Sequence, residues 1–354
     1  MNIRNRTYQK GLSIIEMMIS ITIGLIILAG LTAIFISNSR ARTEIERANR
    51  QIENGRYAMQ LLSDDVRLAG YYAEFDPSGL TLPGSSDPCS TSYSMWRGSL
   101  PLHVQGYDNV TASTIPTCVS DVKLGTDILV IRRVSTCEAG VGDCDPVLAN
   151  APYLQASLCS DPTELGFPIV DNSSYQGHYY NLGIPAGGFN LRQRGCGTTA
   201  ALHRYFTHIY FIANNNKAGD GIPTLKRAEL GPGPCISGSP PCFTIVPLVD
   251  GIENLQLQYG IDSPTVDGIP DSYSAAPANM TEWHAVVSVK INLLARNTEP
   301  TSGYDATQKT FALGYDASIP PQLITFTPLA GDSYKRHAYQ SEVRMNNVAG
   351  RNLL

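Results

Sequence analysis

The chain has 354 residues, of which 16% are charged, with 31 Gly, 23 Pro and 18 Tyr. A formal charge of −5 carries no basic excess and excludes a nucleic-acid binder held by phosphate contacts, and with 43% hydrophobic residues the chain is too apolar to be disordered. At about 150 residues per domain, the length admits two domains or one large β-rich one.

The first eleven residues hold Arg4, Arg6 and Lys10 and no acid. From Met17 to Ile36 run 20 residues without a charge. As a helix rising about 1.5 Å per residue, this stretch spans about 30 Å, the thickness of a bilayer's hydrocarbon layer. The positive flank precedes it, which predicts a cytoplasmic N-terminus and export of everything after Ile36. All eight cysteines follow that segment, and an even number in an oxidising compartment reads as up to four disulfides.

Glu16 sits inside the apolar stretch that begins at Leu12, where a carboxylate is costly unless it has a partner. A secretory signal would place its apolar core before a small-residue cleavage site; here a basic leader ending in Gly11 comes first. Gln9-Lys10-Gly11 followed by Leu12-Ser13-Ile14-Ile15-Glu16-Met17-Met18 resembles the class III signal of type IV prepilins. The resemblance implies that a membrane peptidase cuts after Gly11 on the cytoplasmic side and that the new N-terminus, Leu12, is methylated; Leu12 stands where that family usually has Phe. Such a cut creates an α-amine one helical turn from Glu16. A neighbouring subunit's amine also reaches Glu16 when helices stack with an axial offset, so the carboxylate is expected to set the register of assembly.

Small or apolar residues then recur at Ile45, Ala48, Ile52, Gly55, Met59, Leu62, Val66 and Ala69, with polar residues between, predicting an amphipathic helix capped by Gly70. Unbroken from Leu12 to Ala69, it has 58 residues and a length of about 87 Å. Gly24 and Gly30 are expected either to loosen it or to allow close helix packing. After Gly70 the period changes to two. Strands are predicted over Asp127–Arg132, Leu202–Ile212, Ala285–Arg296 and Ala338–Arg344. In the third, Val287, Val289, Ile291 and Leu293 face a core while Ser288, Lys290 and Asn292 face outward. Gly/Pro/Ser/Asp-rich loops fill 76–99, 137–200, 231–241 and 262–282, and Asn214–Gly221 reads as a hairpin loop. The expected class is α+β and pilin-like. Residues 1–11 form a leader, 12–36 the transmembrane and assembly part of the helix, 37–70 its amphipathic part, and 71–354 one β-rich head.

Further stretches resemble the PilW family of minor pilins: Glu53-Asn54-Gly55-Arg56-Tyr57-Ala58, Leu61 to Tyr71, Gly125 to Arg132, Leu248 to Gly260, Arg336, and Val343-Arg344-Met345-Asn346-Asn347. The resemblance implies a low-copy subunit of a Gram-negative type IV pilus. It would form a priming and tip complex with other minor pilins and the major pilin, and work with a PilY-type tip adhesin in twitching motility and cell adhesion. Its precursor would lie in the inner membrane with the head in the periplasm, and the processed subunit in the surface pilus. Alternatives are a J-type pseudopilin of type II secretion and a membrane-anchored binding module that never polymerises.

No nucleophile elbow, zincin helix, Walker loop or dinucleotide fingerprint is present, so no catalytic residue and no enzyme activity is expected. His103, His178, His203, His208, His284 and His337 are scattered. No Cys-x-x-Cys pair suggests zinc. Cys137/Cys144 and Cys235/Cys242 each enclose six residues, and Cys89/Cys118 and Cys159/Cys196 complete a set chosen by nearness among the 105 possible pairings. Asp262, Asp267 and Asp271 with Gly268 crowd hard oxygen ligands into one loop; the alternatives are a Ca²⁺ site and, favoured, a solvated turn without a cofactor.

Overall fold

The computed structural model describes residues 11, 13–161, 180–185, 188–235, 240–307 and 309–351. The chain divides into two units, residues 1–49 and 50–354. The helix α1 (Ile14–Arg67, 54 residues) supplies the described elements of the first and opens the second. In the first unit the side chains from Ile14 to Ile36 are exposed, and α1 is long and apolar enough to cross a membrane. The hydroxyls within the apolar run bond back to their own helix, Ser20 to the Glu16 carbonyl at 2.7 Å and Thr32 to that of Leu28 at 2.7 Å. These side chains therefore satisfy themselves without water. Gly24 and Gly30 lie within the continuous helix.

In the second unit, α1 buries Gln51, Gly55, Ala58, Leu62, Ser63, Asp65 and Val66. The C-terminal part of the predicted seam is buried at Gly55, Leu62, Val66 and Ala69, whereas Ile52 is 44% exposed and Ile45 61%. Beside the seam, α1 is held by polar anchors that a hydrophobic pattern cannot reveal. Gln51 Nε2 donates to the carbonyls of Ala295 (2.8 Å) and Lys335 (3.0 Å), and Asn54 Nδ2 to the Asp250 carboxylate (2.8 Å). Gly55 is required by contact, since a Cβ there would lie 2.2 Å from the Tyr339 ring. Past the helix end, Gly70 takes φ +70° and donates to the Arg132 carbonyl, the left-handed cap expected of it.

The head contains two sheets. The first holds β1 (Val104–Tyr107), β2 (Ile128–Glu138), β3 (Tyr153–Ala156), β4 (Tyr180–Gly183), β5 (His203–Ala213), β6 (Thr224–Gly231) and β7 (Cys242–Asp250). It runs β1-β2-β5; the other edge of β5 pairs with β3 and then β4 at one end, and with β6 and then β7 at the other. The second runs β13-β10-β8-β9, from β8 (Ile252–Ile261), β9 (Ser272–Ser274), β10 (Val286–Arg296) and β13 (Arg336–Arg344). A hairpin of β11 (Phe311–Tyr315) and β12 (Leu323–Phe326) completes the strands; the short helix α2 (Tyr93–Gly98) precedes them, α3 (Met280–His284) lies before β10 and α4 (Asn346–Arg351) follows β13. The four predicted strands become β2, β5, β10 and β13; β3 and β4 lie inside the expected 137–200 loop, and α2 inside 76–99.

The first sheet is buried on both faces, which explains its continuous apolar runs. Leu129, Ile131, Tyr210 and Ile212 pack with α1 and the second sheet around Ala58, Leu62, Leu257, Val289, Ile291 and Val343. Ile128, Val130, Val134, Tyr205, Ile209 and Phe211 form a second core with Tyr72, Phe75, Trp96 and Tyr180. On β10, Val287, Val289, Ile291 and Leu293 enter the core as predicted. Ser288 and Asn292 do not face solvent: they are 2% and 5% exposed, because Ser288 bonds the Glu342 carboxylate of β13 and β11 lies against β8 and β10.

Candidate functional site

At the N-terminus, Ser13 and Glu16 form a capping box. Ser13 Oγ accepts from the Ile15 N–H (3.3 Å), and Glu16 Oε2 accepts from the Ser13 N–H (3.0 Å). Two donors at the start of α1 are thereby satisfied, and a carboxylate stands at the positive end of the helix dipole. Gly11 has no atom within 4 Å of where a Cβ would stand. Leu12 and His178 lie outside the described residues.

A buried charged cluster joins α1 to the first sheet. Asp65 receives Arg133 Nε at 2.6 Å on one oxygen; on the other it meets His208 Nδ1 (2.7 Å) and the Tyr210 hydroxyl (2.9 Å). Glu229 lies beyond, 3.6 Å from His208 Nε2, and binds Arg204 (3.1 Å) and Arg227 (2.8 Å). Burial by itself would raise the Asp65 carboxyl, but the charges of His208 and Arg133 and their hydrogen bonds outweigh it and hold the group well below its usual range. A shallow groove of about 300 Å³ opens beside it, lined among others by Tyr57, Asp64, Arg133 and Arg227. Nothing in the sequence marked this cluster, because the three residues that touch Asp65 lie 68 to 145 positions from it.

The other described histidines are held structurally. His103 bonds the Val286 carbonyl (2.7 Å), and burial pushes it down to about 3, which keeps it neutral. His203 meets the Ser135 carbonyl, His284 that of Pro101, and His337 meets the Tyr339 ring edge to face. The cysteines form Cys89–Cys118, Cys137–Cys144, Cys159–Cys196 and Cys235–Cys242, the pairs expected from nearness in sequence.

The acidic loop is organised by backbone donors. Both Asp262 oxygens accept, from the Asp267 N–H (3.1 Å) and the Gly268 N–H (2.8 Å). Asp267 accepts from the Ile269 N–H and Asp271 from that of Thr265. The three carboxylates thus each cap a stretch of turn instead of converging, and among the described residues no group of three His, Cys, Asp or Glu is arranged to hold a metal ion.

An N-terminal apolar helix, opened by a carboxylate cap, together with a β-rich disulfide-bearing head is the architecture of a pilin-like subunit. The comparisons agree. The Prokaryotic N-terminal methylation motif matches residues 6–32, and the family described as Type IV Pilus-assembly protein W matches residues 209–347. No curated protein and no solved structure is matched. The chain therefore joins a prepilin-type N-terminus to a PilW region, and its role is related to that of the minor pilins of type IV pili.

Proposed function

We propose that this chain is a minor pilin of the priming and tip complex of a type IV pilus. It is inserted in the inner membrane with its N-terminus cytoplasmic, cut after Gly11, methylated on Leu12 and then drawn into the filament. The observation that carries this reading is Glu16: one carboxylate in an exposed apolar helix, inside the matched methylation motif and beside the cleavage position. A lone carboxylate in hydrocarbon costs about 2.5–3.5 kcal/mol, and pairing with the α-amine of an adjoining subunit offsets that cost. The mechanism is non-enzymatic. The apolar helix stores the subunit in the bilayer, Glu16 registers it against its neighbour, and the head meets other pilin heads and a tip adhesin.

Mass spectrometry of sheared pili tests this. The expected chain begins at N-methylated Leu12; a chain in piliated cells that keeps residues 1–11 overturns it. Co-purification of the full chain with pseudopilins of a secretion system, and not with pilins, would favour the J-type alternative.

A further inference from the structure

Tyr57, Leu61, Asp64 and Leu68 follow one another along α1 in steps of four, three and four residues, so they share one face of the helix. All four line the groove of about 300 Å³ beside Asp65. The sheet contributes Arg133 of β2, Tyr210 of β5 and Arg227 of β6. The helical side is largely apolar and open: Leu61 and Leu68 are half-buried and Tyr57 is 57% exposed. The sheet side is cationic.

The charges around the groove do not balance. Asp65 and Glu229 meet three guanidiniums, Arg133, Arg204 and Arg227, while Asp64 at the rim is paired with Arg67 at 2.9 Å. One positive charge is left over before His208 is counted. Arg133 also keeps a donor in hand. Its Nε is bound to Asp65 and its Nη1 to the Val134 carbonyl, whereas Nη2 has no hydrogen-bond partner among the described residues and is open to solvent. The Arg133 and Arg204 guanidiniums lie 5.0 and 4.9 Å from the centre of the Phe206 ring, which holds both in place. A donor fixed before its partner arrives loses little entropy on binding.

We propose that this groove receives an acidic segment of an adjoining pilin head, an Asp or Glu whose carboxylate meets the Arg133 guanidinium and whose apolar neighbour packs on Tyr57 and Leu61. The inference rests on the reading of the chain as a pilus subunit. The surplus of one positive charge matches a single carboxylate. A phosphate dianion would overcharge the groove, which already holds the carboxylates of Asp64 and Asp65. The volume is at the lower limit for a ligand pocket and admits a side chain or two, not a helix. Tyr and Arg are also the residues that most often anchor protein interfaces, because each joins a rigid flat surface to a hydrogen-bond donor.

Photo-crosslinking in piliated cells tests this, with the full chain carrying benzoylphenylalanine in place of the exposed Tyr57 and mass spectrometry of the sheared fraction reading the adduct. The expected adduct is a peptide from the head of another pilin, with an Asp or Glu beside the crosslinked residue. Gln60, exposed at the same groove, separates charge from mere nearness. Gln60→Glu lowers the adduct about fivefold, the effect of one unfavourable exposed charge, whereas Gln60→Lys keeps or raises it, and neither changes the melting temperature of the head. Processed chain in sheared pili without a pilin adduct at position 57, an adduct with lipid alone, or equal yields from the two Gln60 variants overturns the docking site. Absence of the processed chain from sheared pili overturns the pilus reading itself, and the docking site with it.

Discussion

Asp65 shows how much one residue of α1 carries. Its side chain is 6% exposed and serves Arg133, His208 and Tyr210 together. Breaking a buried ion pair from one side leaves the other charge stranded, so Asp65→Asn is expected to cost about 3–5 kcal/mol, measured by chemical denaturation. The same carboxyl sets an acid limb. Its native value lies below the unfolded 3.8, so the unfolded chain takes up the proton first. The contribution is complete well above 3.8 and drains away as the pH falls from about 5 through the native value. In Asp65→Asn the melting temperature should be lower at neutral pH and fall less steeply under acid; an acid limb as steep as the parent's would show that other carboxylates produce it. The helical pattern placed Asp65 on α1, but its partners come from β2 and β5, and no local spacing announces such a meeting.

At the scale of elements, α1 and Tyr339 of β13 make a close contact that can be separated from helix propensity. Gly55→Ala should gain about 1 kcal/mol as a helix residue. Its Cβ, however, would stand 2.2 Å from the Tyr339 ring, which must leave its edge-to-face contact with His337. Net destabilisation of about 1–3 kcal/mol is expected in the parent, and stabilisation of about 0.5–1 kcal/mol in a Tyr339→Ala background. Equal effects in both backgrounds would refute the contact. The long periodic elements, α1, β5 and β10, were legible because alternation or a 3.6-residue repeat persists over many residues. The strands β3, β4, β11 and β12 have four or five residues each and were not, since their pairing is set by distant partners. The burial of Ser288 and Asn292 was hidden for the same reason: a polar residue alternating with valines reads as outward until another element covers it. The disulfides can be ranked by the loops they close. Removing Cys159–Cys196, which spans 37 positions, should cost about 4 kcal/mol, against about 2 for Cys137–Cys144, which spans 7. Denaturation of the paired Cys→Ser variants measures the difference, and an equal loss would show that chain entropy is not what these bonds supply.

For the whole molecule, the residues that hold the head together are distinct from Glu16, to which the proposed function assigns assembly. The head has two cores on the faces of its first sheet, four disulfides and an internal charge network, none involving Glu16. Within the protomer, Glu16 caps the N-terminus of α1 through the Ser13 N–H. Glu16→Gln keeps a side-chain acceptor at that position while removing the charge. If the cap were the whole role of Glu16, this variant would lose a few tenths of a kcal/mol and assemble normally. If the carboxylate pairs with an adjoining subunit's amine, the loss is the charge interaction itself, about 2.5–3.5 kcal/mol, or about a hundredfold in incorporation. Quantitative immunoblotting of sheared pili against the membrane fraction distinguishes the two. The expected outcome is normal amounts of Leu12-processed variant in the membrane, an unchanged head melting temperature, and a sheared fraction depleted by about two orders of magnitude. Wild-type incorporation of Glu16→Gln would leave the carboxylate as a helix cap and remove the basis for subunit registration.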